Sequence, residues 1–581
     1  MKKKIVKCIG ISTISLSLIL SSSTFKVEAS DISMKTLNKY NSQEQILLRD
    51  KPIQIPVDNI EQEEQFRGVW VSTVFNLDLP SKKGLAQEEY KREYIELLDN
   101  LQALNINSVI FQVRPKLDAF YKSKINPWSE FLTGTQGLSP GWDPLKWMIE
   151  ETHNRGMEFQ AWFNPYRVTT TSNNKKTVKQ QLEELAPNNW ARQNPQYVFS
   201  FDGKLYLNPG EPEVIKYIIE SVMEVVKNYD IDAVHFDDYF YPYRSTKDKD
   251  KWYSIEEQKT FAKYGSGFKS VADWRRDNVD KLILSLHNSI TSYNKEQKKS
   301  VQFGISPYGI WGHKEIHPEG SEAGTGSLTP ITSQASYDNL FADTRKWVKN
   351  NWIDYIAPQI YWSFDEKAAP YGELVNWWAD VVKDTNVHLY IGHANYKKAD
   401  INNKNISWKN PEEISNQLKF NSLYKEVKGS IFFRYKSLLK TENSAKANNE
   451  FIDILKNQHF NTISLLPSKP WLDHKETLSP YDLSVVKENN GNRLTWYDTI
   501  DNDSAYYVIC REEVVKDNNT MGQSKTIISK IKRTDKSTSF TFVDTHIDPQ
   551  KEYIYSVAAV DKANNQSILC KEKKLSQEES R

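Results

Sequence analysis

Asp230-Ile-Asp-Ala-Val-His-Phe-Asp-Asp-Tyr-Phe-Tyr-Pro-Tyr243 decides how this chain reads. An apolar run from Ala233 to Phe236 stops at Asp237 and Asp238, and four aromatics (Tyr239, Phe240, Tyr241, Tyr243) then surround Pro242. The run reads as a buried strand that ends before a proline, which cannot donate to a sheet ladder. Carboxylates are rarely buried without a partner or a use. In α/β folds the C-terminal ends of strands are where sites sit. The plainer reading is a loop pair that caps the next helix or meets Arg244.

Outward from that strand the pattern repeats. Apolar runs at 66–73, 108–114, 158–164, 233–236, 301–306, 355–362, 387–392 and 429–435 alternate with segments of helical spacing. The runs are apolar on both faces, as a parallel sheet covered on both sides requires. Eight strand-helix units predict an α/β fold, a (β/α)8 TIM barrel over residues 65–465. A doubly wound open sheet is the alternative, but no Gly-rich phosphate turn follows the first strand.

Residues 1–29 read as a signal peptide: Lys2, Lys3, Lys4 and Lys7 precede an apolar stretch, and Val27-Glu28-Ala29 resembles a cleavage site. Residues 30–64 read as a polar linker, and 466–480, with Pro467, Pro470 and Pro480, as a second one. From 481 to 576 short alternating strands predict a small all-β sandwich, with a hairpin turn at Asn489-Asn490-Gly491. Trp496 and the run 551–560 in it resemble a fibronectin type III domain. In such a sandwich a strand separates Cys510 from Cys570, roughly 9.5 Å apart and beyond disulfide reach. Two free, buried thiols are expected. Lys+Arg 76 against Asp+Glu 75 leaves a net charge of +1, so no basic field points to nucleic acid. No later run is long enough to span a membrane. The expected protein is exported, secreted or wall-associated, and monomeric.

All strand C-termini of a barrel face one rim. Here that rim gathers Asp78, Arg114, Asp118, Asn164, Tyr166, Arg167, Asp237, Asp238, Tyr308, Trp311, Tyr361, Trp362, His393 and Tyr435. Flat rings suit pyranose faces, and Arg, Asn and Asp bind hydroxyls. Glycoside cleavage adds an acid for the leaving oxygen and a second carboxylate as nucleophile or base. Asp237 and Asp238 are the catalytic candidates. Asp78, Arg114, Asp118, Asn164, Arg167, His235, Tyr239, Tyr308, Tyr361 and Trp362 are the substrate-binding candidates. Alternation places His235, Asp237 and Tyr239 on one side. Asp238 is then the acid if the backbone bends, and otherwise an orienting group. In the second case Asp118, Asp78, Asp365 or Glu366 supplies the partner. His313 and His317 have a helical metal spacing, but Pro318 and Gly320 follow at once, and there is no His-Glu-x-x-His or Cys-x-x-Cys. No metal and no cofactor are expected, and no Gly-x-Ser-x-Gly elbow supports a serine esterase. The charge runs at 247–251 and 530–536 read as solvated surface.

Several blocks carry a resemblance: Phe66-Arg-Gly-Val-Trp-Val, Phe111-Gln-Val-Arg-Pro, Ala161-Trp-Phe-Asn-Pro-Tyr-Arg, His235-Phe-Asp-Asp-Tyr-Phe-Tyr-Pro, Phe303-Gly-Ile-Ser-Pro and Pro358-Gln-Ile-Tyr-Trp. In this order they are similar to the bacterial glycosyl-hydrolase-like family 10, over about residues 64–400 and beyond. The resemblance implies a TIM barrel acting on cell-envelope glycans, peptidoglycan among them. The aspartates of the family blocks fall on Asp78, Asp118, Asp237 and Asp238. Leu79 stands where a Trp is expected beside the aspartate, which removes one stacking surface. The function expected is an exported glycoside hydrolase that cleaves a cell-envelope polysaccharide by carboxylate acid/base chemistry. A glycan-binding barrel without catalysis is the alternative. Deleting 470–581 is expected to spare activity on soluble substrate.

Overall fold

The computed structural model describes residues 32–243, 255–473, 475–514, 525–533 and 537–571. The signal-peptide reading of 1–29, Arg244 and the charge run 247–251 lie outside the described residues. Eight parallel strands close a barrel: β1 (Phe66–Val71), β2 (Ser108–Arg114), β3 (Glu158–Phe163), β4 (Ala233–Phe236), β5 (Gln302–Ile305), β6 (Tyr355–Ile356), β7 (His388–His393) and β8 (Val427–Phe433). β8 pairs with β1, Gly429 opposite Phe66, and leaves no free edge. The main helices that follow each strand are α1 (Gln87–Ala103), α2 (Pro144–Asn154), α3 (Pro212–Asn228), α4 (Val271–Gln297), α5 (Thr344–Lys349), α6 (Tyr371–Val382), α7 (Glu413–Asn421) and α8 (Lys446–Ile454). Local chemistry sets their limits. α1 buries Tyr90, Tyr94, Leu97, Leu98 and Leu101 along one stripe. Asp143 caps α2 by accepting from the Lys146 N–H, and Pro144 opens its first turn.

Alternation divides the strand residues between two cores. Val69, Val109, Phe111, Phe159, Val234, Phe236 and Phe303 face the helices. Phe66, Trp70, Ile110, Trp162, Ala233, Tyr355, Tyr390 and Ile431 fill the barrel. Phe66 stacks on Tyr390 at 4.1 Å near the base of the shaft. Tyr355 lies so close to β5 that a Cβ on Gly304 would sit 2.0 Å from its ring, so a side chain there has no room.

After the barrel come β9 (Tyr481–Glu488), β10 (Gly491–Tyr497), β11 (Tyr506–Glu513), β12 (Thr526–Lys532), β13 (Ser539–Asp544), β14 (Tyr553–Val560) and β15 (Cys570–Lys571). They form a three-stranded sheet, β9-β10-β13, and a four-stranded sheet, β12-β11-β14-β15. Trp496 is buried between them against Tyr507 and Phe540. β14 separates Cys510 from Cys570, and both thiols are free. Cys510 is buried as expected, whereas Cys570, on a two-residue edge strand, is only half-buried.

Three expectations need correction. Residues 32–64 are not a free linker: Met34–Thr36 pairs with Gln54–Pro56, and Leu37, Ile46, Ile53 and Ile55 are buried, Ile53 beside α6. Four apolar residues at irregular spacing gave no period to read. The stretch after the barrel is likewise packed. Leu466 enters the barrel's inner core, and Leu465 joins Val508, Cys510, Ile527 and Val560 of the sandwich. Lys469, 2% exposed, places its Nζ 3.0 Å from Glu158 at the start of β3, and Asn564 Nδ2 donates to the same carboxylate at 2.9 Å. Trp471 Nε1 donates to Asp354 just before β6 at 2.8 Å. The sandwich therefore docks on the N-terminal end of the barrel, opposite the rim. Lastly, Lys530 is half-buried, standing over Gly156 at the foot of β3, and burial pushes its pKa down to about 8. Its stem covers apolar surface, a use that a count of charges cannot reveal. No helix among the described residues is long and apolar enough to cross a membrane.

Candidate functional site

At the C-terminal rim a cavity of about 630 Å³ opens over the strands, a size typical of small-ligand sites. Its floor holds Trp70, Trp162, Gln112 and Ser306, and its walls carry Tyr239, Tyr243, Tyr308, Tyr361, Trp362, Tyr396 and Phe433. Arg167, Lys204 and Lys397 bring positive charge to it. Asp237 and Asp238 both line it, and among the described lining residues they are the only carboxylates.

Both aspartates reach the cavity because regular strand geometry ends at Phe236. The chain turns there: the Phe240 N–H donates to the Asp238 carbonyl at 3.0 Å, and the Asp238 N–H to Asp237 Oδ1 at 2.8 Å. Strict alternation no longer applies to the pair.

Their environments differ. Asp237 is held by amides in a chain whose polarity is fixed from its far end. The backbone N–H groups of Thr73 and Val74 donate to Gln112 Oε1 at 3.0 and 2.9 Å. Gln112 Nε2 must then donate, and does so to Asn164 Oδ1 at 2.7 Å. Asn164 Nδ2 is left to donate to Asp237 Oδ2 at 3.2 Å. From the other side Gln359 Nε2 donates to Asp237 Oδ1 at 3.2 Å and to the Ser306 carbonyl at 2.9 Å. N–H donors converge on Asp237 from three directions, an arrangement that suits a carboxylate ion. Asp238 has instead the Tyr243 hydroxyl on Oδ2. Burial first, and the neighbouring Asp237 charge second, push its carboxyl well above the ordinary value of 3.8.

That shift fixes a stability effect. A raised folded-state value contributes stability that is full below the ordinary carboxylate range and lost as pH rises through the raised value. Asp238→Asn removes the burden of an ionised group, so the variant is expected to melt above the wild type at about pH 8, with the gap closing toward about pH 4. Thermal melts across that range check it. A constant gap would mean that Asp238 does not titrate abnormally.

His235 lies beneath the cavity, fully buried. The Trp70 Nε1–H donates to its Nε2 at 3.1 Å, so the ring proton sits on Nδ1 and goes to the Tyr355 hydroxyl at 2.8 Å; Tyr355 in turn donates to Gln160 at 2.7 Å. Burial pushes its pKa down to about 3, so the ring is neutral and supports the floor.

The other candidates separate into two groups. Arg167, Tyr239, Tyr308, Tyr361 and Trp362 line the cavity, and the Arg167 guanidinium stacks 4.0 Å over the Tyr239 ring. Asn164 lies behind the lining and touches Asp237. Asp78, Arg114 and Asp118 are not among the lining residues. Asp78 binds Arg434 at 2.8 Å and accepts the N–H groups of Ser72 and Lys436, tying the loop after β1 to the end of β8. Arg114 follows a register shift in β2 and turns to the Asn164 carbonyl, Asn126 and Tyr217 of α3. Asp118 meets Lys116 at 3.7 Å and Gln136 at 2.9 Å. Asp365 accepts from Ser363 and Ser407, both at 2.7 Å. His313 bonds Thr329 and the Ser333 carbonyl, and His317 bonds Asp338, so the two do not share a ligand position.

Gln359, Gln112, Trp70, Trp162 and Phe75 belong to the cavity without having been singled out from sequence, whereas of the aromatics around Pro242 Tyr239 and Tyr243 line it and Phe240 and Tyr241 are buried in the core. Strand parity signals Gln112 and Trp162, each an even step from a neighbouring inward position. Gln359 lies in the segment read as a long sixth strand, which in fact stops at Ile356.

A family model described as glycosyl hydrolase-like 10 matches residues 65–410. Over 518 residues the chain is 41% identical to glycosyl hydrolase YngK of Bacillus subtilis (strain 168), covering 88% of this chain and 94% of that protein. Over 399 residues it is 38% identical to glycosyl hydrolase DigH of Escherichia coli (strain K12), covering 67% of this chain and 87% of that one.

Proposed function

The chain belongs to the glycosyl hydrolase-like 10 family and is a glycoside hydrolase, and from that premise we propose that it cleaves the glycan strands of peptidoglycan with Asp238 as acid and Asp237 as nucleophile or base. One observation carries the roles: two adjacent carboxylates share a cavity, one held by N–H donors and the other buried beside the first, which favours its protonated form. Glycoside cleavage needs one carboxyl group held protonated to serve as acid and a second to serve as nucleophile or base. The protonated Asp238 gives its proton to the leaving oxygen as the glycosidic bond breaks. Asp237 either bonds to the anomeric carbon or takes the proton of the attacking water.

The aromatic walls support a pyranose chain as substrate. The cations Arg167, Lys204 and Lys397 suit a glycan that bears carboxylates, as peptidoglycan strands do. The proposal extends to location and accessory parts: residues 1–29 direct export, the protein works as a monomer in or near the wall, and the sandwich is of the fibronectin type III kind. Mass spectrometry of the material released from purified peptidoglycan tests the substrate. Glycan fragments with new reducing ends, peptide-free or peptide-bearing, are expected. Release of peptides alone, or of nothing, would overturn it.

A further inference from the structure

The loop after β1 contains a residue in a conformation that its side chain disfavours. Phe75 has φ 55° and ψ 18°, and Asn76 follows at φ 53°. Left-handed backbone is uncommon outside Gly, Asn and Asp, and for a bulky residue it is an outlier. The surroundings impose it. Asn76 Nδ2 donates to the carbonyls of Phe131 and Pro80 at 2.8 and 3.0 Å. Downstream, Arg434 and two backbone N–H groups anchor Asp78. The result is a large apolar ring, 55% exposed, held at the cavity's edge with its flank against Phe131 at 5.7 Å. Nothing in the fold gains from exposing that ring, and strain of this kind gathers where ligands are clamped.

Its position matters. β1 and β5 stand opposite each other in the closed barrel, and Asp237 and Asp238 follow β4, next to β5. Tyr243 and Tyr308 wall the cavity on the aspartates' side. Phe75 stands on the other side, so it meets a part of the substrate away from the scissile bond. Leu79, where a stacking Trp was expected, is 2% exposed and cannot serve. Phe75 is the exposed ring of this loop.

We propose that Phe75 is a stacking platform for a sugar unit remote from the cleaved bond, which makes the enzyme selective for polymeric glycan over short substrates. This inference rests on the glycosidase reading above. The test compares Phe75→Ala and Phe75→Tyr with the wild type on peptide-free glycan strands and on a minimal disaccharide substrate. The polymer-to-disaccharide ratio of kcat/KM is expected to fall about tenfold in Phe75→Ala and to return in Phe75→Tyr. An unchanged ratio, or a loss that the flat ring of tyrosine does not restore, would overturn it. A second readout does not depend on cleavage: retention on insoluble sacculi of Asp237→Asn against the Asp237→Asn, Phe75→Ala pair. Weaker retention of the pair supports the platform, and equal retention overturns it, even if the wild type were to cut neither substrate and so defeat the glycosidase reading alone.

Discussion

Asp237→Asn is expected to leave a folded protein whose kcat on glycan strands is about a thousandfold lower. The substitution keeps shape and removes the charge that, in the proposed mechanism, attacks or takes a proton. It also conflicts with its neighbours. Asn164 Nδ2 and Gln359 Nε2 both donate to position 237, from opposite sides. A carboxylate accepts from both, whereas an amide can face only one with its oxygen. Asn164 cannot turn to accommodate the change, because Gln112 already donates to its oxygen. The loss is therefore both chemical and geometric. A second effect separates this account from simple disorder. Asp237 is one of the groups that hold the Asp238 carboxyl up, so removing its charge moves the alkaline limb of any residual activity to lower pH. Rates and a pH profile on purified variant, with a melt to show folding, check both points. Full activity in the folded variant would remove Asp237 from the chemistry.

Lys469→Met is expected to cost about 3–5 kcal/mol of stability, the range for stripping one partner from a buried ion pair. Glu158 is 6% exposed, and Lys469 and Asn564 approach the same oxygen. Methionine fills the space of the lysine stem and leaves a buried charge without its counterion. Lys469→Met with Glu158→Gln is expected to recover most of the loss, since no charge is then stranded. Urea unfolding of the two variants checks this, and a Lys469→Met protein as stable as the wild type would show the pair to be hydrated. The same contacts revise the expectation for deletion of 470–581. A chain cut there bares Leu465 and loses Trp471 and Asn564, so lost activity would report a damaged barrel floor rather than a missing substrate site.

The barrel was legible because strands apolar on both faces recur between helical stripes, and only a covered parallel sheet uses such strands. The aspartate pair was legible because carboxylates directly after an apolar run are conspicuous. What alternation alone could not predict was whether the backbone would bend directly after the apolar run. It ends at Phe236, and the turn brings Asp238 in beside Asp237. Residue type misled where the partner lay far away in sequence. Asp78 looked free until Arg434, 356 residues on, closed on it. Arg114 looked inward until a bulge re-aimed it, as bulges do. β12 escaped notice because Lys530 and Lys532 made a half-buried strand resemble open surface. Phe75 was invisible because its importance lies in a backbone angle, which composition does not encode.

The docking of Leu466, Lys469 and the sandwich at the foot of the barrel has a consequence for traffic. Among the described residues the shaft is filled at its foot, Leu466 included, and opens at the rim. Under the proposed activity, substrate and departing fragments share that opening, and a long strand lies across it like a beam rather than passing through. A fragment that stays over Asp237 and Asp238 therefore excludes the next arrival by occupancy alone.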